Sequence, residues 1–511
     1  LARTRDNGGF GFPFLTGWGE GDREISLNKE ETVLSVKIVV LGAGPGGYVA
    51  AVRAAQLGAE VTLIESDSVG GTCLNRGCIP SKVMITTAEL LGKIRKADAF
   101  GITVDGDVRV NMPRLLERKE KVVQDQCRGV LNLLKHHRIR VLAGTGYVKE
   151  RGVVRVRLNE GGEEDVAWDR LILATGTRPL SLPGLPFDGE KIISSDHALE
   201  LREVPESILI VGGGVIGCEF AFLFSSLGAR VVVVEALSRI LPLPSVDEDC
   251  SKVLQREMKK RKIVFMVNRS VEAVSDQGGK LRVEIGPSPF LESPTERDRK
   301  PLSELVDKVL VCVGRSPNTT DLGDLEALGI RREGRGWIEV DERMEAGGSG
   351  VYAIGDVLGP SKVMLAHVAS MEGRVAAENA MGALRKMDYS AVPGAVFTLP
   401  EVADVGLTEA QARELGVEAR SDTVLFRALG KAHAIGEIAG QAKIVSEKGS
   451  GRVLGVHLVG PHATELLGEA TLAVKTGCTT AELSETIHAH PTLSEIMLET
   501  SLKALDQSLH G

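Results

Sequence analysis

The stretch Val36–Ala51, VKIVVLGAGPGGYVAA, decides the fold. A short apolar run from Val36 to Leu41 stops at a glycine-rich turn, and an alanine-rich helical segment follows. Gly42, Gly44 and Gly47 form the pattern G-x-G-x-x-G in the strand–turn–helix setting that gives it meaning. Gly42 allows the tight turn, Gly44 lets a pyrophosphate approach the backbone, and Gly47 lets helix pack on strand. The amino end of the helix then faces the phosphates. A second strand, Val61 to Ile64, ends at Glu65, placed to accept hydrogen bonds from a ribose hydroxyl pair. The whole arrangement recurs as Ile208 to Val211, then Gly212, Gly214 and Gly217, then Val231 to Val234 and Glu235. First glycine to acid spans 23 positions in both copies, and Leu57-Gly58-Ala59 is matched by Leu227-Gly228-Ala229. A glycine-rich turn arising twice by coincidence would not keep its spacing. Two dinucleotide sites are expected.

After the first acid comes Gly70–Lys82, GGTCLNRGCIPSK, with four residues between Cys73 and Cys78. In a regular helix, residues five apart point to different faces, and a disulfide needs its Cα atoms within about 7 Å. Pairing these two therefore requires a distorted turn, which Gly77 permits, and Pro80 suits the first turn of a helix. A helix start also stabilises a thiolate, the nucleophilic form of cysteine. Taken alone, C-x4-C more often describes two unrelated packed cysteines.

The residues around the pair are more specific. With Leu74, Asn75, Ile79, Pro80, Ser81 and Lys82, the segment resembles the redox-active disulfide of the flavoprotein disulfide reductases. The resemblance runs from about Val36 to about Leu505. It implies an α/β fold with two Rossmann-like domains, FAD on the first and NAD on the second, plus a C-terminal α+β dimerisation domain. It also implies a Cys73–Cys78 disulfide in which Cys73 is exposed to substrate and Cys78 lies against the flavin. Lys82 and Glu219 match an ion pair near the flavin edge, although by default both would be surface residues. Thr175 and Gly176 match the turn that leaves the flavin domain, and Gly314 closes the strand that begins at Asp307. Asp356 matches the ligand of the flavin ribitol, and Met364 to His367, with Ala366, the segment beside the ring. His367 reads equally as a packing residue. Near the end of the chain, His490 before Pro491-Thr492 matches the family's catalytic base, and Glu495 the carboxylate that orients it. His457 and His488 read as structural.

Within that family, Val215 is aliphatic where glutathione-type reductases carry a tyrosine. The chain ends without the adjacent cysteines of the mercury-reducing branch, and no lipoyl-domain sequence precedes the flavin segment. The implied reaction is oxidation of dihydrolipoamide with NAD⁺. The implied partners are lipoyl-bearing carrier proteins of 2-oxoacid dehydrogenase or glycine cleavage systems. The alternative is a reductase for another disulfide, glutathione-like or that of coenzyme A. A flavoprotein used only for binding or sensing is disfavoured, because Cys73, Cys78 and His490 are all present. His490 lies more than 400 residues beyond Cys73. The resemblance implies a homodimer in which the histidine of one chain meets the disulfide of the other, with the apolar segment Leu466 to Val474 a candidate contributor to the interface.

Length and composition agree. A chain of 511 residues is long enough for several domains. Its net charge of −8 argues against nucleic-acid or anionic-membrane partners. No apolar run approaches the ~20 residues of a membrane span. Seven cysteines spread over this length form no secreted disulfide framework, so a cytoplasmic location is expected, and no metal is. Residues 1–33 are rich in glycine and charge and lack periodicity or a signal-like apolar core. They read as a disordered or non-native leader, Leu34 being a candidate start, with an organelle-targeting segment as the alternative. The division expected is 34–183 for FAD, 184–306 for NAD, 307–386 for a central domain completing the FAD site, and 387–511 for the interface. A helix is expected from Pro113 to about Lys135, and a solvated hairpin loop without chemistry over 286–304. In the last part, strands are expected at Ala395–Thr398, Gln441–Val445 and Val453–Val459, and helices near Glu465–Lys475 and Thr480–Thr486.

Overall fold

The computed structural model describes residues 35–348 and 350–511; the expectations for residues 1–33 and for a start at Leu34 lie outside the described residues. β1 (Lys37–Leu41) is buried on both sides beyond its first residue, as a central parallel strand must be. It turns through Gly42 into α1 (Pro45–Gln56), whose first position is proline. β2 (Glu60–Glu65) pairs in parallel with β1, Lys37 opposite Glu60. Then come α2 (Gly71–Arg76), α3 (Cys78–Arg95) and the long α4 (Met112–His136), which Asn111 caps by accepting from the Arg114 amide. β3 (Arg140–Glu150), β4 (Val153–Leu158) and β5 (Glu163–Ala167) form an antiparallel extension of the sheet. β6 (Arg170–Leu173) comes back beside β1.

The second copy repeats the plan with β7 (Ser207–Val211), α5 (Val215–Leu227), β8 (Arg230–Val234), α6 (Glu248–Lys260) and β9 (Val264–Met266). An antiparallel unit of β10 (Arg269–Gln277), β11 (Lys280–Pro287) and β12 (Leu302–Val306) follows. β13 (Lys308–Val311) then pairs with β7, so the second parallel sheet runs β9-β8-β7-β13, with Ile192–Ile193 at its far edge. The boundary expected at residue 307 therefore falls immediately before a strand of the second sheet. Only β14 (Val351–Ala353) rejoins the first sheet, beside β6, giving the order β14-β6-β1-β2-β3-β4-β5. α7 (Ala366–Ala380) lies against α1, and a Cβ on Gly373 would stand 2.4 Å from the Gly46 carbonyl oxygen, so glycine sets how closely the helices approach.

The C-terminal part is an antiparallel sheet ordered β15-β16-β19-β18-β17: β15 (Gly394–Val396), β16 (Glu401–Gly406), β17 (Ala419–Leu425), β18 (Gln441–Glu447) and β19 (Val453–Gly460). α8 (Leu467–Thr476) and α9 (Glu495–Ala504) pack on it, and Ile496 and Met497 share a core with Val424, Ile444 and Val456. The helices expected near 465–475 and 480–486 are present, the second as Thr480–Glu485. The loop over 286–304 is shorter than expected, because β11 continues to Pro287, β12 starts at Leu302, and Thr295 caps a single helical turn, Glu296–Arg299. Among the described residues no helix is long and apolar enough to cross a membrane.

Candidate active site

The two glycine turns are built alike. Gly42 has φ +100, and a Cβ there would lie 2.3 Å from the Ala174 carbonyl oxygen; one on Gly47 would lie 1.8 Å from the Gly42 oxygen. In the second copy Gly212 has φ +103 and would meet the Cys312 oxygen at 2.6 Å, while Gly217 would meet the Gly212 oxygen at 1.9 Å. By contrast the missing Cβ positions of Gly44 and Gly214 look into open space, the side from which a phosphate approaches. Glu65 accepts from the amides of Ala43 (2.7 Å) and Asp67 (2.9 Å), and burial pushes its carboxyl up. Glu235, 6% exposed, accepts from Gly213 (2.5 Å) and Leu237 (2.7 Å) in the same way. Arg239 is turned away: its guanidinium donates to the carbonyls of Leu241, Leu243 and Val246 at 2.6–2.9 Å.

The first site fits FAD. The Thr175 hydroxyl is buried and has no protein partner. Gly176 and Gly314 have positive φ and open space where a Cβ would be. Asp356 is held by the Thr177 hydroxyl at 3.2 Å and faces Arg315 at 4.0 Å; burial pushes its carboxyl up, against both partners. Ala366 opens α7, and no side chain caps the helix there, so its first amides are left to a ligand or to water.

At the cysteine pair the helix breaks at Gly77, whose added Cβ would lie 2.9 Å from the Thr72 carbonyl oxygen. This is the distorted turn that the spacing requires, but α3 begins at Cys78 rather than near Pro80, and Cys73 sits inside a helix of its own. Both are free thiols, hydrogen-bonded to one another. The bond from Cys73 and the charge of Lys82 lower Cys78 to about 7 against burial and Glu219, whereas Cys73 is pushed up. Cys73, within α2, is half-buried, and Cys78, which heads α3, is exposed.

Lys82, one turn beyond Cys78, is 3.0 Å from each carboxylate oxygen of Glu219 on α5. Sequence reasoning missed the third member, Phe397, whose ring lies 4.3 Å below the ammonium and whose amide donates to Glu219 at 3.0 Å. Nothing in a lone phenylalanine signals this. Asn75, named in the motif without a role, has one here: its amide donates to the carbonyls of Val69 and Gly71, and its oxygen accepts from Cys127 at 3.3 Å. It fixes the turn before α2.

His490 Nδ1 lies 2.8 Å from Glu495, whose other oxygen accepts from the Thr492 amide at 2.9 Å. These bonds hold the Glu495 carboxyl below its usual range despite some desolvation. The His490 side chain is 76% exposed, and no hydrogen bond joins it to the cysteines of its own chain. Ile487 beside it is 97% exposed. His488 is instead tied to Glu469 and the Thr486 carbonyl, both at 2.9 Å, His457 is buried against the Leu407 carbonyl, and His367 meets the Pro393 carbonyl. Among the described residues no group of His, Cys, Asp and Glu is arranged to hold a metal.

A family model described as pyridine nucleotide-disulphide oxidoreductase matches residues 36–373, and one for the dimerisation domain of the same family matches 392–501. The chain is 43% identical over 474 residues to a dihydrolipoyl dehydrogenase of Chlamydia muridarum, covering 92% of this chain and 97% of that one. It is 40% identical over 482 residues to a dihydrolipoyl dehydrogenase of Bacillus subtilis, covering 93% and 98%. A crystal structure of LpdA from Mycobacterium tuberculosis aligns with a TM-score of 0.83 at 29% identity, over 92% of this chain and 99% of that one.

Proposed function

This chain belongs to the pyridine nucleotide-disulphide oxidoreductases, and from that membership we propose that it works as a dihydrolipoyl dehydrogenase, oxidising protein-bound dihydrolipoamide with NAD⁺. Membership carries with it FAD, a nicotinamide dinucleotide and, through the dimerisation domain, a homodimer. The observation that carries the proposal is the Cys73–Cys78 contact, one thiol driven toward thiolate beside Lys82. Bound on the first site, FAD supplies two-electron passage between this pair and the nicotinamide.

The chain's own groups do the rest. Glu495 accepts a hydrogen bond from the Nδ1–H of His490 and leaves Nε2 as the acceptor. His490 removes a proton from one thiol of dihydrolipoamide, and the resulting thiolate attacks Cys73 of the oxidised pair. The Cys73–Cys78 bond breaks and Cys78 leaves as thiolate, its charge favoured by the nearby Lys82. The second substrate thiol gives up its proton and attacks the substrate sulfur of the mixed disulfide, releasing Cys73. Lipoamide is thereby oxidised and the cysteine pair reduced. Of the two substrate protons, one ends on Cys73 and the other leaves through His490.

Glu235, with the nearby Arg239 engaged by three carbonyls, supports NAD⁺ over NADP⁺. We keep the division at 183 and 386 and move the one at 306 to follow β13, since that strand pairs with β7. A cytoplasmic setting stays part of the proposal and rests on the scattered cysteines. Lipoyl carrier proteins are the partners that go with this activity. The test compares NADH-driven reduction of lipoamide, oxidised glutathione and coenzyme A disulfide by the holoprotein. Lipoamide should be turned over at least about a hundredfold more efficiently, the ratio that an unmatched polar substrate costs a fitted site. Faster reduction of either other disulfide would overturn the assignment.

A further inference from the structure

Glu372 lies on α7, where its neighbours Val368, Val375 and Ala376 form an apolar face, yet its carboxylate is 1% exposed. Burying a carboxylate there is unfavourable unless its lone pairs are matched. Two donors match them. The Gly355 amide donates to one oxygen at 2.6 Å and the Tyr389 hydroxyl to the other at 2.6 Å. Gly355 has φ +73 and immediately precedes Asp356, so the first bond fixes the turn that aims Asp356. Tyr389 comes from the arm between α7 and β15. That arm is anchored by the Met387 amide on the Glu342 carbonyl and by an ion pair of Asp388 with Lys475 on α8. Lys362, just past the turn, sits over the Tyr389 ring at 5.4 Å.

We propose that Glu372 and Tyr389 are positioning residues for FAD. Tyr389, on the arm into the dimerisation domain, locks the Glu372 carboxylate, and that carboxylate holds the Gly355–Asp356 turn in its cofactor-binding shape. The link rests on the reading of Asp356 as a residue facing FAD. Without the tyrosine hydroxyl, one buried oxygen of Glu372 loses its partner while Asp356 stands close by with like charge. The carboxylate then swings out toward water and releases Gly355.

The test is the rate at which the holoprotein gives up its flavin at constant temperature, followed by flavin fluorescence, together with kcat under saturating added FAD. Tyr389→Phe and Glu372→Ala should each release flavin about tenfold faster, the effect of one lost buried hydrogen bond, with kcat recovered by added FAD. Glu372→Gln keeps an oxygen for Gly355 and an N–H for the tyrosine oxygen, and should retain flavin like the wild type. Lys475→Ala loosens the arm alone and should give a smaller increase. Loss of kcat that added FAD does not restore would show a merely structural role and overturn the proposal. So would unchanged release in both Tyr389→Phe, which removes a single oxygen, and Glu372→Ala. A wild type that takes up no FAD overturns the cofactor reading together with this link, whereas a wild type and variants that hold it equally well overturn the link alone.

Discussion

At the scale of single residues, the charge at the cysteine pair is set by position. Cys78 receives a hydrogen bond from Cys73 and stands one helical turn from Lys82, and both lower its thiol from the ordinary 9.0 to about 7. A lowered pKa means that the thiolate is present above that value and is lost as the pH falls through it. In the reduced holoprotein the long-wavelength perturbation of flavin absorption should strengthen as pH rises through about 7. Cys73→Ser should keep that perturbation, Cys78→Ser should lose it, and both should lose lipoamide turnover; the opposite spectral pattern reverses the two roles. Glu235 makes a second prediction. Its carboxylate is fixed by two backbone amides, and Arg239 is engaged by three carbonyls and so is not free to meet a 2′-phosphate. NAD⁺ should exceed NADP⁺ in kcat/KM by roughly a hundredfold, from lost charge-assisted bonds of about 1.5–3 kcal/mol. Equal efficiencies would remove the assignment.

At the scale of elements, the helix-on-strand contact behind each nucleotide turn can be tested one copy at a time. A methyl group on Gly47 or Gly217 would overlap the carbonyl of the first glycine in its own turn, and backbone cannot yield as a side chain can. Gly47→Ala should come away from purification largely without flavin. Gly217→Ala should keep flavin but raise the KM for NAD⁺ by about tenfold or more, for a displacement costing 1–3 kcal/mol. A Gly47→Ala protein with full flavin content would show that the contact is unimportant. These elements were legible in the sequence because two constraints coincide there: both strands are buried on two faces, and the glycines admit no substitute. β16, β17 and α9 were not legible. β17, Ala-Arg-Ser-Asp-Thr-Val-Leu, is an edge strand, mostly half-buried, so neither alternation nor an apolar run marks it. α9 follows directly on the histidine motif and is buried through Ile496, Met497, Glu499 and Thr500, a mixed face whose periodicity is weak. The His490–Glu495 pairing was legible, being local; the Lys82–Glu219–Phe397 cluster was legible only in part, since its members lie up to 315 positions apart.

At the scale of the whole molecule, His490 faces solvent, and no hydrogen bond joins it to the cysteines of α2 and α3. A dimer in which each chain completes the other's site would bring the two together. Mixing Cys73→Ser chains with His490→Gln chains, each inactive alone, should restore roughly a quarter of wild-type activity once subunits exchange at random about the two-fold axis. Exchange that is verified yet restores nothing would show that each site is complete in one chain.

The position of β14 in the first sheet has a consequence in time. β6 ends at Leu173 and its outer neighbour starts at Val351, with the whole second sheet between them in the chain. A ribosome adding ~5–20 residues per second needs roughly 10–35 seconds to cross that interval. During it every strand of the second sheet emerges, while the nascent first sheet carries β6 with a bare edge open to pairing with other chains. The nucleotide site that is translated first is therefore the one whose sheet closes last.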